Sequence, residues 1–267
     1  MSQNTNEPSA AGEGVGEERP NSTAGGGRTA VINHISSDKI EASMWIARLT
    51  TIFFTISFVL PFFGVSQYTS GQRVLIGGAI TSALRLHQRV PQMRVSRELL
   101  GVLLREDSAH YLFYSALMLF TSQPTSMTLM PVFLFAVLHV TKYTKILLDL
   151  AGPSSLPLIR RLIAKIDTKQ QDVLKLIATV EITLMPTSLL LLLSGFATLV
   201  LPFLYYRFLC MRYTSVRNPY CRTVFYEMRV LSEYLARDQR CPSFCSNVIY
   251  KVIGFVSRMA PVTSTQG

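Results

Sequence analysis

Apolar blocks separated by short polar and basic stretches dominate the chain between about residues 44 and 206. The run of residues 182–206 contains no charged residue and includes five consecutive leucines at 189–193. A helix of this length, rising ~1.5 Å per residue, exceeds the ~30 Å hydrocarbon core of a bilayer. Because a helix that is apolar on every side is rare in soluble domains, this run predicts a membrane-embedded segment.

The earlier apolar segments predict further membrane helices. The first spans residues 44–64, and Trp45 and Arg48 suit its start at headgroup depth. Residues 74–84 are too few to cross as a straight helix, which leaves a re-entrant segment, an interfacial segment or half of a shallow hairpin. Residues 108–121 and 126–141 are joined by a proline-containing polar turn, and we expect a helical hairpin there.

The last apolar region, residues 176–206, is long for one span. Pro186, Ser194, Gly195 and Pro202 are positions where it can bend. One tilted helix and a hairpin folded at Ser194-Gly195 are both compatible with this pattern.

Three amphipathic stretches complete the pattern. Residues 156–166 repeat apolar positions at helical spacing with basic residues between them, and Asn218-Pro219 predicts the start of a helix that ends near Arg237. On a helical wheel, residues 244–259 separate an apolar half from a polar, cationic half. This separation predicts a helix that lies in the headgroup layer, although packing against the protein's own helices remains open. The predicted membrane-surface residues are Phe244, Val248, Lys251, Val252, Phe255, Arg258 and Met259.

Composition adds a disordered N-terminus and a basic surface. The chain has 267 residues and a formal net charge of +10, which predicts contact with anionic membrane lipids rather than nucleic acid, because no nucleic-acid-binding motif is present. The first 37 residues are rich in small and polar residues and lack the apolar core of a signal peptide, so we expect them to be disordered. The resulting division is a disordered segment (1–37), a transmembrane helical region (38–210) and a basic cytoplasmic tail with amphipathic helices (211–267).

The basic segments constrain the topology. They cover about residues 73–105, 142–175 and 207–258, and all can be cytoplasmic only if each intervening apolar region enters and returns as a hairpin. The N-terminus is then lumenal if 44–64 crosses alone, or cytoplasmic if 74–84 returns. The glycosylation sequon at Asn21 makes this testable.

Ionisable residues near or within the apolar segments are functional candidates by default, and here they are Asp107, His110 and Glu181. A channel or proton path needs such groups to line a common interior. The alternative, which we favour, is local pairing at helix ends. The chain carries no phosphate-binding loop, hydrolase or metalloprotease signature, and Cys241 and Cys245 have no nearby histidine to complete a zinc site. We therefore expect no enzyme activity, no metal and no cofactor.

Several polar strings resemble one family. In order and spacing, residues 81–89 (TSALRLHQR), 106–112 (EDSAHYL), 205–209 (YYRFL), 217–223 (RNPYCRT) and 255–261 (FVSRMAP) resemble the transmembrane protein 33 family, also called the Krüppel homologue 2 family. The resemblance covers about residues 38–261 and implies a multi-pass protein of the endoplasmic reticulum membrane and nuclear envelope. It also implies association with reticulon-type curvature proteins, a role in tubule organisation, possible contact with nuclear pore components, and links to stress signalling.

Together these patterns predict an all-α integral membrane protein: a multi-span helical bundle with helical hairpins, interfacial amphipathic helices and a disordered N-terminus. The leading functional hypothesis is a non-enzymatic membrane-shaping scaffold. The alternatives are a channel or transporter that uses Glu181, Asp107 and His110, and a regulatory adaptor of stress signalling. The candidate partner or lipid contacts are Arg85, His87, Arg89, Arg217, Tyr220 and Arg222.

Overall fold

The protein is all-α in the part of the chain that the structure describes. The computed structural model describes residues 23–61, 64–90, 101, 103, 106–215 and 217–261, and these residues form ten named helices and no strand. The helices are α1 (Thr23–Ser37), α2 (Lys39–Val59), α3 (Gln67–Arg89), α4 (Asp107–Thr121), α5 (Ser126–Ala151), α6 (Pro157–Thr168), α7 (Gln170–Leu193), α8 (Val200–Thr214), α9 (Tyr220–Arg237) and α10 (Ser243–Met259).

Six of these helices form three antiparallel hairpins, α2/α3, α4/α5 and α7/α8. Helix α3 runs back along α2, so that Gln67 donates to the Phe58 carbonyl near the turn and Gly77 packs against Thr51 further along. Thr125 begins α5 with a capping box to Thr128. The third hairpin turns at Gly195, which has a φ of +76°. Glycine adopts this conformation without the steric cost that a side chain brings.

The turns of the three hairpins lie together at one end of the bundle, called here the turn end. Ser122 and Ala197 form an isolated antiparallel bridge between the second and third turns. Thr198 N–H donates to the Thr121 carbonyl at 2.8 Å across the same junction. A Cβ at Gly71, near the start of α3, would collide with Pro124 of the second turn. The opposite ends of the hairpins therefore also lie together, and we call that side the basic end.

Aromatic side chains fill the centre of the bundle. Tyr114, Tyr205 and Phe208 are fully buried, and the Tyr114–Phe208 and Tyr205–Phe208 ring centroids lie 5.0 and 5.4 Å apart. Such inclined ring pairs gain energy beyond their buried area. Val74, Leu75 and other apolar residues of the hairpin arms pack around them. This core holds α4 and α8 against each other and sets the positions of the charged residues at the basic end.

Among the described residues, three helices are long and apolar enough to cross a membrane: α2, α5 and α7, with 21, 26 and 24 residues. Their partners α4 and α8 have 15 residues each, about 22 Å at ~1.5 Å per residue. The charged and polar side chains at the basic end, called here the polar layer, therefore lie near the ends of α3, α4 and α8. They lie near the middle of α5 and α7.

The remaining helices pack around the hairpins. Helices α1 and α6 contact α5, whereas α9 contacts α7 and α10. In α6, Ile163 is buried while Leu158 and Leu162 are exposed, which agrees with the predicted amphipathic helix. Asn218 Oδ1 accepts from Tyr220 N–H at the start of α9, as its sequence predicts.

The structure confirms the predicted hairpin of residues 108–121 and 126–141 and decides between the open alternatives elsewhere. Residues 74–84 belong to the returning arm α3, and the last apolar region is the hairpin α7/α8 rather than one tilted helix. The predicted disorder is wrong for residues 23–37, which form α1. The physical reason is packing: Gly27 approaches the Ala151 backbone and His34 contacts Tyr143, so tertiary contacts override a glycine-rich composition. Residues 1–22, with Asn21, lie outside the described residues.

One further expectation needs correction. The boundary drawn between residues 210 and 211 falls inside α8, which continues to Thr214 and buries Arg212 in the bundle. The expected headgroup depth of Trp45 and Arg48 stays a prediction. Within the protein, the Trp45 indole donates to Thr144 of α5 at 3.1 Å, and Arg48 is only 5% exposed, because α2 faces α5 on this side.

Candidate functional site: the polar layer at the basic end

A fully buried ion pair lies at the centre of the polar layer. Glu181 of α7 and Arg212 of α8 are both 0% exposed, and Arg212 Nε donates to Glu181 Oε2 at 3.0 Å. The same guanidinium donates through Nη1 to Asp107 Oδ1 at 3.1 Å, at the start of α4. One arginine therefore joins α4, α7 and α8. A buried charge is tolerable only when it is paired and hydrogen-bonded in this way.

Tyrosine hydroxyls complete the surroundings of Glu181. Tyr111 donates to Glu181 Oε1, and its ring also lies 5.1 Å from the Arg212 guanidinium carbon in a cation–π contact. Tyr205 donates to the Glu181 backbone carbonyl at 2.7 Å. Both carboxylate oxygens of Glu181 are thus occupied, which fits a residue that holds helices together.

A second, more exposed ion cluster joins segments that are far apart in sequence. Arg89, at the end of α3, donates to Glu106 Oε2 at 2.7 Å, and Arg217, after α8, donates to the same oxygen at 2.6 Å. Glu106 is 7% exposed, so this carboxylate is sheltered between the two guanidinium groups. Arg89 and Arg217, which the sequence analysis predicted as contact residues in two distant segments, therefore lie on one surface.

A cavity of about 320 Å³ opens beside this cluster, between α2, α3, α4 and α5. We call it the arginine cavity. Four arginines line it, whereas Asp107 is the one carboxylate on its described wall. Its polar lining includes Arg48, Arg85, Arg89, Arg217, Ser115 and His139.

The terminal helix α10 is the other candidate surface. None of its described residues is buried, and Phe244 and Phe255 are 76% and 64% exposed. It is attached near its end by a hydrogen bond from the Tyr206 hydroxyl to the Met259 carbonyl at 2.9 Å. Most of its predicted apolar face is thus open, whereas Ile249, Ile253 and Met259 are half-buried and α10 contacts α9.

The predicted site residues separate into distinct environments. Glu181 and Asp107 share the Arg212 network, and His110 Nδ1 lies 3.8 Å from Asp107 Oδ1. His87 is exposed, and Tyr220 and Arg222 are half-buried away from the cavity wall. Sequence reasoning missed Arg48, Tyr111 and Arg212 as central residues. No local signal identified Arg212, because its pairing with Glu181 depends on the α7/α8 hairpin that the sequence left undecided.

Comparison with known proteins identifies the family of this chain. The family model described as "Transmembrane protein 33/Nucleoporin POM33" matches residues 23–262. The chain belongs to this family. Family members with high similarity include Transmembrane protein 33 of Homo sapiens, 44% identical over 92% of this chain and 99% of the relative. Krueppel homolog 2 of Drosophila melanogaster is 42% identical over 86% of this chain and 82% of the relative.

Similarity extends to distant members of the family. A Transmembrane protein 33 homolog of Dictyostelium discoideum is 24% identical over 80% of this chain and 70% of the relative. No solved structure matches the chain. The transmembrane protein 33 family match begins at residue 23, where α1 begins, so the described N-terminal helix lies inside the family region.

Proposed function

We propose that this member of the transmembrane protein 33 family is a non-enzymatic protein of the endoplasmic reticulum membrane and nuclear envelope. It organises the tubular network and supports nuclear pore organisation by membrane shaping and scaffolding. The family description includes a nucleoporin, which supports the nuclear envelope part of the proposal. Reticulon-type shaping proteins and nuclear pore components are the partners that fit this role.

The open apolar face of α10 is the observation that carries the proposal. Val248, Val252 and Phe255 are 42%, 55% and 64% exposed on one side of the helix, and Lys251 and Arg258 border this side next to Phe255. A helix whose exposed apolar side is bordered by cations binds at the boundary between headgroups and acyl chains, and such binding is sensitive to curvature. Anionic lipids add electrostatic attraction for the two cations.

The hairpins supply a shape that suits curved membrane. All three turns meet at the turn end, whereas the basic end carries the ion clusters and the amphipathic helices α6 and α9, which salt bridges join to α5 and α7. We place the basic end in the cytoplasm, because basic segments are retained there. Helices α1 and α2 begin at this end, so the N-terminus is placed on the cytoplasmic side as well. More protein then lies in the cytoplasmic leaflet than in the other, and this asymmetry favours positive curvature.

The geometry of Glu181 favours a scaffold over a channel. The side chain is fully buried, and its two carboxylate oxygens bind Tyr111 and Arg212. A residue engaged in this way stabilises the bundle rather than lining a passage. We therefore expect no ion efflux from vesicles that contain the protein.

Protein sorting between flat and curved membrane tests the proposal. Full-length protein labelled at its N-terminus is reconstituted into giant vesicles containing phosphatidylserine, and nanotubes are pulled from them. The measurement is the ratio of protein density in the tube to that on the vesicle. We expect enrichment of the wild-type protein in tubes and a loss of most of it in V252E, because a charge on the apolar face opposes insertion.

Asn247 provides a matched control. It is exposed on the polar face of α10, so N247E adds the same charge without touching the apolar face. We expect N247E to keep most of the wild-type enrichment. Equal tube densities for wild type, V252E and N247E would contradict the role of α10 in membrane shaping.

A further inference from the structure

The arginine cavity carries more positive charge than its described surroundings neutralise. Arg89 and Arg217 both bind Glu106. Asp107 binds Arg212, and its Oδ1 also accepts from the Ser215 hydroxyl at 2.9 Å. Neither Arg48 nor Arg85 forms a salt bridge with any residue that the structure describes. A cation held in a protein interior without an opposite charge is costly, so an anion in the cavity would be bound favourably.

The contacts of these two arginines within the protein are weak. Arg48 is 5% exposed, and its Nη2 lies 3.8 Å from the Met44 sulfur, which is a poor acceptor. Arg85 Nη1 lies 3.5 Å from His139 Nε2, at the limit of hydrogen-bond distance. The charge of Glu41 acts on both guanidinium groups, and that of Glu106 on Arg85, from beyond salt-bridge distance. Most of the N–H donors of both side chains therefore remain available to a ligand.

A buried hydroxyl adds a neutral donor to the same wall. Ser115 Oγ lines the cavity, is 1% exposed and has no hydrogen-bond partner among the described residues. A buried hydroxyl without a partner is a donor that a ligand or a water molecule can use. Gly78 faces it, and a Cβ there would lie 3.0 Å from Ser115 Oγ and 2.7 Å from Val132, so the glycine lets α3 approach α4 and α5 closely at this wall.

The opposite wall is apolar. Val132, Phe135 and Ala136 of α5 line it, so the cavity combines an apolar side with a cationic side. The volume of about 320 Å³ lies at the lower end of the ~300–1,000 Å³ range of small-ligand pockets. A small anionic group joined to an apolar body fits this division.

We propose that the arginine cavity binds a phosphate group, held by Arg48, Arg85 and the Ser115 hydroxyl. Guanidinium groups match the oxygens of a phosphate with paired, charge-assisted hydrogen bonds, and a hydroxyl donates to a further oxygen. The phosphate can come from a phospholipid headgroup or from a soluble phosphate compound. The site is separate from α10, so the inference does not depend on membrane shaping.

Calorimetric titration of the full-length protein in a neutral detergent tests this site. The lipid probe is dihexanoyl phosphatidic acid, the soluble probe is inorganic phosphate, and dihexanoylglycerol is the control that has tails but no phosphate. We expect saturable binding of at least one phosphate probe and none of dihexanoylglycerol. Binding of phosphatidic acid alone assigns a lipid source, and binding of both phosphate probes assigns recognition of the phosphate itself. Absence of binding by both phosphate probes would overturn the proposal.

Variants locate the binding within the protein. We expect S115A and R85Q each to weaken phosphate binding by roughly tenfold or more, since each removes a hydrogen bond to a charged group. R161Q is the matched control for R85Q, because Arg161 is exposed on α6 away from the cavity. Wild-type affinity in both S115A and R85Q would overturn the proposal.

Ligand-free stability separates binding from packing. Because Arg48 is buried without a carboxylate partner among the described residues, we expect R48M to lose phosphate binding while its unfolding temperature without phosphate stays equal to or above that of the wild type. A lower unfolding temperature in R48M, together with wild-type affinity in S115A and R85Q, would assign these residues to packing alone.

Discussion

The hairpin core covers its apolar and charged residues with other parts of the protein, whereas the terminal helix α10 leaves most of its own exposed. In the core, Glu181 and Arg212 are both 0% exposed and bind each other, and aromatic rings cover one another. In α10, a helix of 17 residues, none is buried. The comparison teaches that an amphipathic pattern shows that a helix needs an apolar cover but does not show what supplies it. For the core the cover is the protein itself, and for α10 we propose that it is the membrane.

The largest expected effect comes from breaking the buried ion pair. E181L leaves the Arg212 guanidinium buried without its main partner, and loss of one partner of such a pair costs about 3–5 kcal/mol. We expect a loss of this size in the free energy of unfolding, measured by denaturing-detergent titration with a spectroscopic readout.

The double variant E181L/R212M is the control for that loss. It removes both charges, and replacing a buried pair by apolar residues is often close to neutral. We expect it to recover much of the stability that E181L loses, although Asp107 also gives up a partner. Equal stability of E181L and wild type would contradict the central place of this pair in the bundle.

Sequence patterns predicted the helices better than their contacts. The hairpins follow from apolar length and from turn residues such as those around Pro124 and Gly195, because these signals are local. The partner of Glu181 could not be read in the same way, since Arg212 lies 31 residues away and on the other arm of a hairpin that the sequence left undecided.

The arginine cavity was also beyond sequence reasoning. Arg48 and Arg85 sit on different helices and meet only because α2 and α3 are antiparallel in this register. Helix α1 was missed for a related reason, as its stability depends on α5 rather than on its own composition.

Glycine-to-alanine substitutions in the core and in α10 give a smaller, matched test of whether the two regions are packed differently. G71A places a Cβ against Pro124 where the first and second hairpin turns meet, and overpacking of this kind costs ~1–3 kcal/mol. Nothing lies within 4 Å of a Cβ at Gly254 in α10. We expect G71A to lower the free energy of unfolding of the core and G254A to leave it unchanged. An equal loss in both would show that α10 is packed like the core.

The smallest effect is expected at the junction between the core and the tail. Lys175 of α7 and Glu227 of α9 form a salt bridge of 2.7 Å, with side chains 43% and 51% exposed. Exposed pairs contribute only ~0–1 kcal/mol. We expect K175A and E227A each to lower the free energy of unfolding by no more than this, with a small coupling energy in the double-mutant cycle. A coupling energy as large as that of the Glu181–Arg212 pair would contradict the distinction between core and surface charges.

The proposed position of α10 in the headgroup layer is tested most directly by spin labels along the helix in vesicles that contain anionic lipid. The four native cysteines are free and would be replaced before single cysteines are introduced for labelling. We predict high accessibility to oxygen and low accessibility to a water-soluble nickel complex at Val248, Val252 and Phe255, with the reverse at Asn247 and Lys251. Equal accessibility to the nickel complex at all five positions would contradict the account, because α10 would then lie in water rather than in the headgroup layer.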